Sequence, residues 1–317
     1  MSKSTKQQND LSNTGFDNTT NRSSGRVLGK NGKTNVKKIG ISRISQLSIY
    51  HTLIEMSLFH FLILCVLGFV VVNVLFGTLY FFLNPAKIGI DMSHTQGLQF
   101  LECIFFSAQT ITTVGYGRVN PQSIPTGIIA SFEAFIGLLS FAVLTGLIYG
   151  RFARPQAFLK FSHHALISPF KEGKALMIRL ASYKNNSLTD LEANMIVGMR
   201  MKGKESSFVN YYPCKLDIAN ITSLALSWTL VHPINEESPL YDLTMQDFEE
   251  KQLEILVFIK GFDEHFSNIV KAKTSYHFSE IVNNAKFNIM FKQSDDGRMT
   301  ILELDKLNDY HLLNQTT

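Results

Sequence analysis

Residues 112 to 117 read Thr-Thr-Val-Gly-Tyr-Gly, a run suited to the display of main-chain oxygens. Carbonyls that all turn toward one axis need dihedrals most residues avoid, and Gly115 and Gly117 adopt them without a Cβ penalty. The Thr113 hydroxyl adds a further oxygen below. Such a ladder replaces the water around a monovalent cation, which makes Thr113, Val114, Gly115 and Tyr116 candidate ion ligands and Gly117 the end of the loop. This chemistry is coordination, not bond making. No nucleophile with a base at useful spacing, no phosphate loop and no metal-ligand cluster stands out, so neither enzymatic activity nor a cofactor is expected. Cys65, Cys103 and Cys214 are odd in number and lack CxxC spacing, which argues against a disulfide framework or zinc site.

A loop of this kind must be framed by rigid elements. Leu98 to Ile111 is apolar but too short to cross a bilayer, and predicts a re-entrant pore helix over 97–111, with Ser93 and Gln96 as a capping box at its start. Its partial-negative C-terminal end would face the loop at 113–117 and favour a cation. On either side lie longer runs. No Asp, Glu, Lys or Arg occurs from Met56 to Ala86, and Leu58 to Leu83 supplies 26 nearly unbroken apolar residues. As a helix these reach roughly 39 Å, enough to cross with some tilt. Ile124 to Gly150 carries a single charge, Glu133, and opens with Pro125 in its first turn. The predicted spans are an outer helix at 57–83 and an inner helix at 124–151, within a membrane region of 57–155. Irregular backbone at membrane depth must be buried or line water, and two spans cannot enclose it, so a homotetramer is expected.

Charge divides the chain the same way. Residues 1–50 hold 9 Lys/Arg against 2 Asp/Glu, residues 51–150 hold 2 against 4, and residues 151–317 hold 19 against 20, within a net charge of +4. Lys30, Lys33, Lys37, Lys38 and Arg43 precede the first span and Arg151, Arg154 and Lys160 follow the second, while Lys87 and Arg118 alone lie between. The positive-inside rule puts both termini in the cytosol of a multi-pass protein of the cell membrane. Residues 1–40 are rich in Asn, Ser, Thr, Gly and Lys, which predicts a disordered arm and no signal peptide. Over 41–56, Ile44, Leu47, Tyr50 and Ile54 recur at helical spacing. They are read as an interfacial slide helix, the alternative being the cytosolic end of the first span. Gly137 and Gly146 interrupt the inner helix, and bending or close packing explains either equally well.

Beyond Lys174 the pattern changes to short alternating runs at Ala175–Ala181, Leu224–Leu230, Leu253–Phe262, Ala285–Phe291 and Met299–Leu304. Turns at Tyr183 to Ser187 and at Asp295-Asp296-Gly297 separate some of them, and an all-β sandwich follows. Trp228 is assigned to its core. His163-His164 reads as surface histidine more readily than as a pH sensor.

The loop and its frame resemble potassium channels, in which TVGYG is the established K⁺ filter. The text His232-Pro233-Ile234-Asn235-Glu236-Glu237-Ser238-Pro239-Leu240-Tyr241-Asp242-Leu243 narrows the resemblance to inward-rectifier (Kir) channels, as do Arg151-Phe152-Ala153-Arg154-Pro155, Phe161 to Ala165 and Thr274-Ser275-Tyr276. The bacterial KirBac group is the most similar, over about residues 40 to 310. The resemblance implies an α-helical pore domain, an immunoglobulin-like cytoplasmic domain at 156–310 with a tail at 311–317, and passive K⁺ conduction by a homotetramer.

It also implies roles for single positions. The rectification-controlling position falls on Phe141, with Thr145 in the same cavity; an apolar ring there predicts weak block by internal Mg²⁺ or polyamines. Glu192 and Glu264 match positions facing the cytoplasmic pore, and Glu264 to Asn268 the constriction at its apex. Gln109 stands where many relatives carry an acid behind the filter. Glu133, the one carboxylate in its span, is either a hydrogen-bond partner of the pore helix or a tuner of conduction. Tyr149 matches the bundle-crossing gate, an interfacial anchor being the other reading. Arg151, Arg154 and Lys160 match residues that contact anionic lipids of the phosphoinositide type, which inhibit the bacterial group. A nucleotide-gated channel would need a GxGxxG block, which is missing after Arg151, and nothing suggests nucleic-acid binding. A pore scaffold that senses or binds without conducting remains the alternative outside channels.

Overall fold

The computed structural model describes residues 26–37, 39–40, 42, 48–202 and 207–313. The chain divides into two compact units, one of residues 39–154 and one combining the N-terminal segment up to residue 38 with residues 155–317.

The first unit is helical. Helix α1, Ile49–Glu55, is capped by Ser48, whose Oγ accepts from His51 N at 3.4 Å. Residues 41 and 43–47 of the expected slide helix lie outside the described residues. Met56 and Ser57 are extended, so α1 is a separate element from α2, Leu58–Phe82. This separates α1 from the end of the first span. A short 3₁₀ turn at Pro85–Ile88 leads toward α3, Gln96–Ile111. The capping box expected at Ser93 and Gln96 does not form: the cap position is Thr95, which makes no side-chain bond. Ser93 N instead bonds Asp91 Oδ1 at 2.9 Å, closing a local turn that competes with the cap. Helix α4, Ile124–Phe152, begins with a reciprocal cap between Ser123 and Thr126 and carries Pro125 in its first turn.

These helices approach closely where side chains are small. At Gly77 of α2 an added Cβ would lie 2.7 Å from Ile104 Cγ1 and 3.0 Å from the Ile104 backbone. At Gly137 of α4 it would meet the Ile111 carbonyl oxygen at 2.2 Å, whereas nothing lies within 4 Å of Gly146. Close packing is therefore the role of Gly137. The seam is closed by Tyr80, Ile88, Cys103, Phe106 and Ala130, with the Tyr80 and Phe106 rings edge to face at 4.9 Å.

The second unit is a sandwich of two sheets. In one, β3 (Gly173–Ser182) pairs with β7 (Ser227–Ile234) on one edge and with β2 (Ala165–Phe170) and then β1 (Leu159–Phe161) on the other, and β10 (Ile281–Asn283) joins β2 in parallel. In the other, β4 (Leu188–Lys202) lies between β8 (Glu254–Asp263) and the strands β5 (Ser207–Cys214) and β6 (Asn220–Ser223), with β9 (Asn268–His277) outside β8. Leu176, Ile178, Leu180 and Leu230 from the first sheet meet Met195, Val197, Ile255 and Val257 from the second, and Trp228 is buried among them. This is the β-rich, immunoglobulin-like domain that the resemblance implies.

Two features depart from the sequence reading. The long strand β4, which the sequence reading does not single out, carries a bulge between Thr189 and Glu192 that shifts its register against β8, and from Met195 to Met199 it is buried on both faces. Residues 26–37, expected within a disordered arm, pack on the second sheet. Val27 and Leu28 are buried against Ile196, Tyr211 and Leu256, and their amides donate to the Glu254 carboxylate at 3.2 and 3.3 Å. Arg26 donates to Ser275 Oγ and O and pairs with Glu280, while Lys30 lies 4.0 Å over the Tyr276 ring. Two buried apolar side chains and two charged anchors outweigh a composition that is otherwise polar. The arm's residues 1–25 lie outside the described residues.

Candidate functional site

The last turn of α3 hands the chain directly to the loop. Thr110 and Thr112 hydroxyls add back-bonds to the carbonyls of Phe106 and Ala108 at 2.8 and 2.6 Å, beside the Thr112 N bond that Ala108 O also accepts. Val114 N and Gly115 N then both point at Gln109 O, at 2.9 and 3.4 Å, and Thr113 N at Thr110 O at 3.1 Å. Gln109 thus braces the loop through its main-chain carbonyl. Thr113, Gly115 and Gly117 have φ of 59°, 53° and 85°, while the intervening Val114 and Tyr116 do not enter that region. Alternation of left-handed and ordinary dihedrals swings successive carbonyls to one side, so the loop has the backbone an oxygen ladder requires. For Thr113 the left-handed geometry is a strained choice, of the kind found at functional sites.

Behind the loop lies a buried polar cluster that joins all three membrane helices. Tyr80 of α2 donates its hydroxyl to Glu133 Oε2 at 2.7 Å. Ser107 of α3 donates to Glu133 Oε1 and lies 3.0 Å from Asn73 Oδ1, and Asn73 Nδ2 returns to Phe69 O at 2.6 Å. Asn73, Ser107 and Glu133 are all buried. Glu133 is thereby tied to the pore helix and the outer helix at once. Its partners were missed by the sequence reading, although Asn73, the one amide in an apolar span, was a visible signal.

Phe141, Thr145 and Tyr149 follow Gly137 on α4 at intervals of four, which keeps them near one side of the helix. Phe141 and Tyr149 are 71% and 74% exposed in the single chain, so neither is held by its own core. Arg151 is occupied within the unit: its guanidinium donates to Leu53 O and Met56 O, both at 2.5 Å, and stacks on Phe61 at 4.8 Å. These bonds cap the C-terminal carbonyls of α1. Arg154 pairs with Glu55 at 3.0 Å. In the second unit Lys160 lies 5.4 Å over the Tyr183 ring, Glu192 is exposed with Lys260 at 3.8 Å, and Glu264 follows β8 with its amide on Ser187 O at 3.1 Å. His163 N bonds Asn308 Oδ1 at 2.8 Å and the His164 ring packs edge-on to Tyr310.

Comparison with known proteins gives a consistent assignment. Residues 159–315 match the model of the inward rectifier potassium channel C-terminal domain, and residues 68–154 match an ion channel model. Inward rectifier potassium channel Kirbac3.1 of Paramagnetospirillum magnetotacticum is 30% identical over 286 residues, covering 90% of this chain and 95% of its own. G protein-activated inward rectifier potassium channel 2 of Pongo abelii is 26% identical over 291 residues, covering 84% and 68%. The solved structure of Spo0M, a sporulation control protein from Bacillus subtilis, aligns at a TM-score of 0.21 with 6% identity over 42% of this chain and 58% of its own. An ion-channel match over two long apolar helices marks a membrane protein of a class that is not enzymatic. With a filter loop between two spans and a β-sandwich after them, the chain belongs to the inward rectifier potassium channel family.

Proposed function

We propose that this protein is a passive K⁺-selective channel, in which four copies bring their Thr113–Gly117 loops to one axis. The observation that carries this reading is the alternation of positive φ at Thr113, Gly115 and Gly117 immediately after a half-helix between two spans. Carbonyls so arranged replace the hydration shell of K⁺, and the helix end favours a cation in the cavity below. Both termini face the cytosol of the cell membrane, as the basic flanks argue.

In this reading Tyr149 closes the cytosolic end of the pore, where four bulky side chains block the path or dry it. Phe141 and Thr145 line the cavity, and the lack of a carboxylate at Phe141 makes block by internal Mg²⁺ or polyamines weak. Glu192 and Glu264 line the cytoplasmic pore. Gln109 and Glu133 support the filter. Anionic lipids of the phosphoinositide type act at Arg151, Arg154 and Lys160; Arg151 bonds only neutral carbonyls and so keeps its charge, whereas Arg154 is paired with Glu55.

The test is rubidium uptake into liposomes holding the purified tetramer. Uptake stopped by barium, indifferent to excess sodium and reduced by a phosphoinositide is the expected result. Competition by sodium would refute selectivity, and no uptake by wild type or by Tyr149→Ala would identify a non-conducting scaffold.

A further inference from the structure

Three ionisable side chains meet beside the filter exit, on the side opposite the proposed gate. Arg118 directly follows Gly117, and its Nη2 lies 2.8 Å from Glu102 Oε1 on α3. The other oxygen of Glu102 faces His94 Nδ1 at 3.6 Å. That nitrogen is buried and has no hydrogen-bond partner. The His94 backbone is fixed independently, since Gln99 Nε2 donates to its carbonyl at 2.8 Å and to Met92 O at 3.2 Å. The charged groups facing the imidazole are Glu102 from α3, Arg118 from the segment after the filter and Asp91 from its own loop. The Asp91 carboxyl is held below its usual range by the Ser93 amide first, and also by the charge of His94.

The arrangement is unusual for a cation pathway, because the residue next after Gly117 carries a guanidinium. Glu102 neutralises it. With His94 uncharged, Asp91, Glu102 and Arg118 sum to one negative charge per chain; a proton on Nδ1 closes the 3.6 Å gap as a charge-assisted bond, divides the Glu102 carboxylate between two cations, and cancels that charge. Histidine is the side chain suited to such a change between pH 5 and 8. We propose that His94, Glu102 and Arg118 form an external proton sensor that sets the charge of the outer mouth, so that acid outside the cell lowers K⁺ entry. The inference rests on the channel reading above. Its mechanism is a local field that lowers the cation concentration at the mouth, an effect that salt screens.

The experiment is single-sided pH change on the full-length channel in planar bilayers. Barium-sensitive inward K⁺ current should fall roughly two- to threefold when the filter side is taken from about pH 8 to about pH 5.5 at low ionic strength, and less at high. The same change on the opposite side should not reproduce the salt-screened fall. His94→Gln should keep the current measured near pH 8 and lose the fall, while His94→Lys should give the low current at both pH values. A current that stays flat in wild type, or a fall that persists in both variants, overturns the sensor while leaving the channel reading intact. Absence of barium-sensitive current at every pH would instead refute the channel reading, and the sensor with it.

Discussion

The hydroxyl of Tyr80 donates to the carboxylate of Glu133 across 2.7 Å, from the outer helix to the inner one, with the pore-helix residue Ser107 on the other oxygen. Because Tyr80, Asn73, Ser107 and Glu133 are buried, the filter's frame depends on polar groups that find their partners within the protein.

Tyr80→Phe should destabilise the membrane unit by about 1–3 kcal/mol, the cost of leaving a buried acceptor unpaired. Glu133→Leu should cost more than Glu133→Gln, which retains a donor and an acceptor. Thermal denaturation in detergent with a double-mutant cycle checks this, and additivity of Tyr80→Phe with Glu133→Leu would count against a shared network.

Gly137→Ala should prevent normal assembly of the filter, since its Cβ would fall 2.2 Å from the Ile111 carbonyl at the end of the pore helix. Overpacking of this kind costs about 1–3 kcal/mol or more. Gly146→Ala, with nothing within 4 Å, should be tolerated. Comparing tetramer yield and barium-sensitive uptake for the two substitutions separates them, and equal behaviour would refute the packing role.

The β-sandwich domain should lose stability in acid through His232. Its ring is buried between Lys215 O, which accepts from Nδ1 at 2.7 Å, and Ser238 Oγ, which donates to Nε2 at 2.8 Å. Burial lowers its pKa below the ordinary 6.5, outweighing the Lys215 carbonyl that raises it. The folded state thus holds the proton less tightly than the unfolded one. Its contribution is complete above pH 6.5 and is lost as pH falls through the depressed folded value. Trp228 is the chain's one tryptophan and lies in the same strand, so its fluorescence reports this domain alone. The pH slope of its unfolding midpoint should shrink in His232→Gln.

Tyr149→Ala should raise K⁺ flux severalfold by widening the proposed constriction. Unchanged flux through a correctly assembled tetramer would remove Tyr149 from the gate.

Phe141→Asp should strengthen voltage-dependent block by internal Mg²⁺ or polyamines, because four carboxylates would then face the cavity. Block that does not change would show that Phe141 is outside the conduction path.

Much of this protein was legible in its residues because the bilayer imposes simple rules. Length and apolarity are enough to define Leu58–Phe82 and Ile124–Phe152 as spans, and TVGYG carries its mechanism in five consecutive residues. Period-two runs marked several strands of the sandwich, but not β4, the longest, which is buried on both faces from Met195 to Met199. What sequence could not supply were relationships between residues far apart in the chain. Nothing local says that Asn73, Tyr80 and Ser107 converge on Glu133, that Gly137 rather than Gly146 touches the pore helix, or that Arg151 serves the carbonyls of Leu53 and Met56. Polar composition likewise concealed the docking of Val27 and Leu28, because burial depends on which surface a residue meets. Local pattern determines the elements, whereas their pairing follows from packing, in which steric fit and the need to satisfy buried polar groups act between segments that only the folded chain brings together.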